Sequence, residues 1–284
     1  MQVVAFPKWR RLPSLEMEWC VNDLERFFVE NTGRQMEKWK HYFEIYDRHF
    51  ARFRGTDVHV VEIGVAHGGS LQMWKQYFGP KARIFGVDVE PNTKALEEPQ
   101  VEIIVGDQAD AGFLASVAAA IPRIDILIDD GGHTMRQQEV TFTSLFQHVS
   151  DDGVYLCEDL HTSYWGDYGG GYEREGTFIE LSKGLIDSIN AWHSRSPDLV
   201  VSDFTRTAHS LHFYDSVLVI EKRKLSPPES VVSGKDLIVY TKGAVMWPLN
   251  STQLRQSRAM RIAGKIPGHK RVARAIKRGS SAWP

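Results

Sequence analysis

The sequence predicts an α/β protein built on a mostly parallel seven-stranded sheet, with helices before it and an antiparallel hairpin at its C-terminal end. Three observations predict this. From residue 57 onward, short apolar runs alternate with amphipathic segments, the pattern of strand–helix units in a doubly wound sheet. The last two runs, LHFY and SVLVIEK, are joined by a very short turn and read as a hairpin. Before residue 57, apolar residues recur at spacings of three and four, the helical period.

Residues 14–53 are expected to be helical, with Leu24, Phe27, Phe28, Trp39, Tyr42, Phe43, Tyr46, Phe50 and Phe53 facing the core. The strands follow as HVVEIGV, RIFGVDV, VEIIVGD, IDILIDD and GVYLCED before the hairpin. Between them fall helices near 70–78, 93–98, 110–120, 134–149 and 177–193. Three regions result: a helical segment over 1–54, the α/β core over 55–224 and an extension over 225–284.

Of the 284 residues 42% are hydrophobic and 25% charged, enough for one full core. Cys20 and Cys157 form neither a disulfide framework nor a zinc-ligand pattern, so a reducing, cytoplasmic setting is expected. The N-terminus has no apolar run of signal-peptide length, and no stretch approaches the roughly 20 apolar residues of a membrane span. The formal charge of −2 hides an asymmetry: residues 251–284 hold nine Lys or Arg and no acid, leaving 25 basic against 36 acidic groups elsewhere. That basic tail is expected either to meet an anionic surface, an acidic partner or a neighbouring subunit, or to be a solvated terminus.

In a doubly wound sheet, ligands bind beyond the carboxyl ends of the strands. Each of the five parallel strands ends in acid: Glu62, Asp88, Asp107, Asp129 with Asp130, and Glu158 with Asp159. After the first strand, Gly64, Gly68 and Gly69 let backbone approach a ligand, and Ser70 is placed to cap the next helix. This loop is neither a dinucleotide fingerprint nor a phosphate loop. Asp88 is placed to take both ribose hydroxyls, and Asp107 with Gln108 to read an adenine edge. A nucleoside pocket without polyphosphate features points to S-adenosyl-L-methionine.

Asp130 and the pair Glu158–Asp159 should stand side by side at the ends of neighbouring strands. Three carboxylates in so small a volume call for a cation, because they repel and raise one another's pKa. No Lys or Arg lies nearby in sequence, and an all-oxygen set suits Mg2+ or another hard divalent ion. Asp129 stands near either the ion or the cofactor, and Glu62, at the end of the first strand, is expected at the cofactor. His133, two glycines beyond Asp130, is suited to remove a hydroxyl proton. His161 is the second candidate base and His67 a weaker one. The aromatic, glycine-rich stretch that contains Tyr164 and Trp165 offers faces on which a sugar ring can stack.

VEIGVAHGGSLQMW, FGVDVEP, DILIDDGGH and GVYLCEDLHTSYW resemble the class I, magnesium-dependent sugar O-methyltransferases of the macrolide type, those acting on mycinamicin and tylosin deoxysugars. The resemblance covers roughly residues 40–222. It implies a Rossmann-like methyltransferase core and a homo-oligomer, dimer or higher. By the same resemblance Asp130, Glu158 and Asp159 hold the metal, and His133 is the base. Gly64, Gly68, Gly69, Ser70 and Asp88 bind the cofactor, with Asp107 and Gln108 toward adenine. The expected acceptor is a sugar hydroxyl in a glycoside, oligosaccharide, polysaccharide or glycosylated natural product.

Relatives of this group are often labelled cephalosporin hydroxylases, so the first rival is a non-haem iron, 2-oxoglutarate-dependent enzyme using His133, His161 and Asp130. The second is a non-catalytic adenosyl- or nucleic-acid-binding subunit. The complete acidic cluster argues against a chain that has lost its chemistry, and nucleic acid is not the expected partner.

Overall fold

In the computed structural model, which describes residues 22–235, the alternation from residue 57 gives seven strands. They are β1 (His59–Ile63), β2 (Arg83–Asp88), β3 (Val101–Val105), β4 (Ile124–Asp129), β5 (Val149–Cys157), β6 (Ala208–Tyr214) and β7 (Val217–Lys222). Their order is β3-β2-β1-β4-β5-β7-β6, with β7 antiparallel to both neighbours and the rest parallel. The order reverses between β1 and β4, and a crevice opens there beyond the strand ends.

The central strands are apolar on both faces, and their period of two sorts them into two cores. Val60, Ile126, Leu156 and Val219 face one side; Val61, Leu127, Cys157 and Leu218 face the other. Each such fully buried aliphatic side chain contributes about 1.5–3 kcal/mol. The first core is covered by α1 (Asp23–Glu30), α2 (Tyr42–Phe50) and α3 (Gly69–Phe78). The second is covered by α4 (Ala111–Ala120), α5 (Met135–Leu145) and α6 (Phe178–Ile189); a short α7 (Asp203–Thr207) leads into β6.

Several boundaries differ from expectation for local reasons. The helix expected over 134–149 starts with a Thr134/Gln137 capping box but ends at Leu145, because Val149 is taken by β5, where it pairs with Ile124. The segment expected near 93–98 is a 3-10 turn over Pro91–Leu96. The largest departure lies in the N-terminal segment, where residues 31–41 are irregular. Asn31 stops α1 by accepting from Gly33 N–H and donating to Arg34 O. Helical spacing no longer applies within this break, and Trp39, expected in the core, is 54% exposed. Leu24, Tyr42, Phe43, Tyr46 and Phe50 are buried as expected.

The larger compact unit holds 22–193 and 201–226; residues 194–200 group with 227–235 in a small second unit. Residues 1–21, with Cys20, and 236–284, with the basic tail, lie outside the described residues. Cys157 is a buried free thiol. Among the described residues, no helix is long and apolar enough to cross a membrane.

On the first face, α2 is pinned to the terminal hairpin through His49, whose Nδ1 meets Glu221 Oε1 (2.8 Å) and whose Nε2 meets the Tyr214 hydroxyl (2.9 Å). Burial holds this imidazole below the usual histidine pKa, against the opposing pull of Glu221. The unfolded chain therefore binds the extra proton first, so this contribution to stability is present above about pH 6.5 and is lost as pH falls below it. In urea melts, the stability of wild type relative to His49→Gln is expected to fall between pH 7.5 and 5.5. A pH-independent difference would refute the linkage.

Candidate active site

The crevice at the switch point is a cavity of about 940 Å3 lined by the ends of β1, β2, β4 and β5 and by the 31–41 segment. At its nucleoside end, Asp88 Oδ2 accepts from Val65 N–H (2.8 Å) and Ala66 N–H (3.0 Å), while Oδ1 accepts from Glu90 N–H (2.8 Å). The carboxylate thus shapes the glycine loop while still lining the cavity. Gly64 has φ +94°, and a Cβ there would lie 2.0 Å from Asp130 O. Only glycine lets the loop after β1 pass so close to the loop after β4. Gly69 and Asp107 also line the cavity, whereas His67 is exposed outside it.

Several residues expected at the cofactor have structural work instead. Glu62 is fully buried and outside the lining, accepting from Ser70 Oγ (2.9 Å) and Trp74 Nε1 (3.1 Å) and so tying β1 to α3. Burial pushes its carboxyl up to about 7. Ser70 lines the cavity but donates its hydroxyl to Glu62, and the cap of α3 is Gly68. Asp129 is 1% exposed and outside the lining. Its Oδ1 accepts from Gln108 Nε2 (3.1 Å), and burial raises its pKa to about 7. Gln108 is in the lining, but its amide also donates to Thr141 and accepts from Gly132 N–H (2.7 Å). With that amide it braces the Asp130–His133 loop. A Cβ on Gly131 would fall 2.0 Å from Gln108 Oε1, so the brace needs that glycine.

At the other end of the cavity the acids converge as strand register demands. Asp129 pairs with Cys157, which sets Asp130 beside Glu158. Asp159 holds φ 55° and His133 φ 56°, left-handed conformations that are uncommon outside glycine and that cluster at functional sites. They bring His133 Nε2 to 3.5 Å from Asp159 Oδ2 and 3.9 Å from Asp130 Oδ1. Asp159 Oδ1 accepts from the Tyr42 hydroxyl (2.8 Å), and Glu158 Oε1 from Tyr46 (2.6 Å).

Sequence reasoning missed the cation already there. Lys38, 92 residues from Asp130 and 120 from Glu158, donates from Nζ to Asp130 Oδ2 and to Glu158 Oε1 (3.1 Å) and Oε2 (2.9 Å). Burial alone would lower its pKa, but the charges of Asp130, Glu158 and Glu62 outweigh burial and hold it well above the usual lysine value. Burial and the charge of Asp130 keep Glu158 pushed above the usual carboxylate range despite Lys38.

The donor set fits a hard divalent ion. Asp130, His133 and Asp159 each offer a ligand atom within 4.8 Å of the others; Glu158, expected as a ligand, is outside that group, and its oxygens accept from Lys38 and Tyr46. It does not fit the iron rival, which needs two imidazoles and one carboxylate. The converging set has one imidazole and two carboxylates, and His161 Nδ1 is held at 2.5 Å by Ser216 Oγ.

The wall of the cavity beside His161 is aromatic. Trp165 and Tyr168 line the cavity with His161, whose ring lies 4.6 Å from that of Trp165. Tyr164, expected there, is 45% exposed and outside the lining, because the 3-10 turns over 160–168 rotate Trp165 and Tyr168 inward in its place. Ser216, at the tip of the β6–β7 hairpin, is a second missed residue: its Oγ meets His161 Nδ1 and accepts from His161 N–H (3.2 Å), and its carbonyl accepts from Leu160 N–H (3.0 Å). A short hairpin turn is a legible signal, but which loop it reaches is not.

This strand order, with an open cavity at the reversal and no phosphate loop, is that of a Rossmann-like class I methyltransferase. Residues 61–160 match the family described as "Methyltransferase domain", and the chain's relatives are sugar O-methyltransferases. The 8-demethyl-8-alpha-L-rhamnosyl tetracenomycin-C 2'-O-methyltransferase of Streptomyces olivaceus is 39% identical over 193 residues, 64% of this chain and 50% of that protein. The mycinamicin VI 2''-O-methyltransferase of Micromonospora griseorubida is 39% identical over 192 residues, 62% of this chain and 47% of that one. Among solved structures, the MycE methyltransferase in complex with Mg, SAH and mycinamycin VI superposes with a TM-score of 0.63 at 36% identity, over 72% of this chain and 54% of that one. The chain spans about half the length of the curated relatives it matches.

Proposed function

We propose that the chain transfers a methyl group from S-adenosyl-L-methionine to a hydroxyl of a sugar, within a glycoside, oligosaccharide, polysaccharide or glycosylated natural product. The observation that carries this reading is the sharing of one cavity by the Asp88-braced glycine loop, the Asp130–Glu158–Asp159 cluster and the His133 imidazole. The names of the relatives support it, since both matched proteins are sugar O-methyltransferases and MycE carries Mg and SAH.

In this reading Asp88 accepts from the ribose hydroxyls and the loop of Gly64 and Gly69 lies against the cofactor. Asp130, Glu158 and Asp159 hold the divalent ion, most naturally Mg2+. When bound there, the ion supplies positive charge that orients the acceptor hydroxyls and eases loss of a proton from one of them. His133 Nε2 takes that proton, and the charge it gains faces Asp159 Oδ2 and Asp130 Oδ1. Trp165 and Tyr168 stack against the sugar and keep water from the reacting oxygen. Holding oxygen and methyl in contact is worth several kcal/mol of the barrier, commonly about 7–11 in oriented systems. The division into a helical segment, an α/β core and a C-terminal extension, a homo-oligomeric state, a cytoplasmic location and contact of the basic tail with an anionic surface complete the reading.

Calorimetry with S-adenosylhomocysteine is expected to show one site. Incubation with S-adenosylmethionine and rhamnosylated acceptors should release S-adenosylhomocysteine in an EDTA-sensitive manner. A chain that binds no S-adenosylhomocysteine refutes the proposal.

A further inference from the structure

The 31–41 segment brings a positive charge into the acidic cluster. The Lys38 and Glu158 side chains are each 2% exposed, and the ammonium bonds Asp130 and both Glu158 oxygens. These are two of the three carboxylates proposed to hold the divalent ion. An ion at the usual ligand distance of about 2.0–2.6 Å from those oxygens would lie against the ammonium. Like charges that close in a water-poor site repel strongly. Ammonium and metal therefore exclude each other at Glu158.

We propose that Lys38 is the resident counter-ion of the metal-free site, and that the divalent ion loads by driving out Lys38 and the strap of chain that carries it. The inference rests on the metal-dependent reading above. The strap suits such a movement, being irregular backbone between α1 and α2. It is fastened at one end by Arg34 to Leu96 O (2.9 Å) and at the other by His41 Nε2 near Asp215 O (3.1 Å). Between these points the Lys38 ion pairs tie it to the sheet, Met36 packs against the first core and Lys40 meets Glu25 Oε1 (3.5 Å). Gln35, Met36 and Trp39 of the strap line the same cavity, so withdrawal of Lys38 also changes the walls an acceptor meets. The arrangement has a physical reason. Buried carboxylates without a cation would destabilise the fold, and an ammonium compensates them until metal arrives. The same compensation weakens metal binding, since the ion must displace a satisfied charge pair.

The full chain is titrated with Mn2+ alone, followed by its electron paramagnetic resonance signal and by calorimetry, for wild type, Lys38→Met and Lys38→Gln. The variants are expected to bind roughly tenfold more tightly, within the ordinary range for coupled events. Without metal they should melt lower than wild type and gain more from Mn2+. In the wild type, amide hydrogen exchange over 31–41 should speed up on Mn2+ binding. Equal or weaker binding by the variants, or exchange in 31–41 that stays constant or slows, overturns the role of Lys38 and leaves the metal-dependent reading standing. Wild type and variants that all fail to bind Mn2+ overturn both. The exchange measurement needs no substitution, so it decides the question even where neither variant folds.

Discussion

Replacing His133 by Asn is expected to lower the rate of methyl transfer by about 10^2–10^4-fold, the usual contribution of a positioned proton acceptor, while binding of S-adenosylhomocysteine stays near wild type. The choice of Asn matters. Residue 133 sits at φ 56°, a conformation Asn adopts readily and Ala does not, so the Asn variant separates lost chemistry from a disturbed loop. The bond that holds this backbone, from Thr162 Oγ1 to His133 O (2.9 Å), survives any side-chain change. His133 Nδ1 is buried without a hydrogen-bond partner, so removing the ring strands no other group there. In the proposed reading, cofactor binding is carried by the loops after β1 and β2, away from this residue. Steady-state rates and calorimetry on the same preparation check both halves, and full activity in the Asn and Ala variants alike refutes the base assignment.

Asp159→Asn is expected to weaken Mn2+ binding by more than the 10–100-fold that loss of an outer-shell partner commonly costs, because here a proposed ligand is lost. Turnover should fall with it and recover in part at high metal concentration. The fold should tolerate the change, since Asn accepts the left-handed φ of 55° and its carbonyl can still accept from the Tyr42 hydroxyl. Asp159 is also nearest the imidazole, at 3.5 Å, so the charge facing an imidazolium disappears with the ligand. Calorimetric titration with Mn2+ is the direct check, and an unchanged affinity removes Asp159 from the metal set.

The sheet and the acids at its strand ends were legible because both depend on local pattern: apolar runs of strand length, a period of two and acids at run ends. What pattern could not supply was direction. Glu62 and Asp129 carry the same strand-end signature as Asp88 and Asp130, but their carboxyls enter the protein and lie outside the cavity lining. Tyr164 and Tyr168 have the same chemistry four residues apart, and the turn geometry between them decides which one lines the cavity. Lys38 was invisible for a different reason. Its partners lie 92 and 120 residues away, and it stands in the break at 31–41 that helical periodicity passed over. No lysine occurs close along the chain to these carboxylates, and compensation from so far away leaves no local pattern.

The hairpin turn that reaches His161 also fixes when the site can form during synthesis. His161 and Leu160 leave the ribosome more than fifty residues before Ser216, and Tyr42 and His49 long before the hairpin they meet. A nascent chain halted before β7 has β5 without its antiparallel neighbour and the loop after it without its anchor. Contacts of such long sequence separation form late and make folding slow. The acidic cluster therefore completes its surroundings only when nearly all of the α/β core has emerged, so a truncated product would carry the clustered acids without a finished pocket around them.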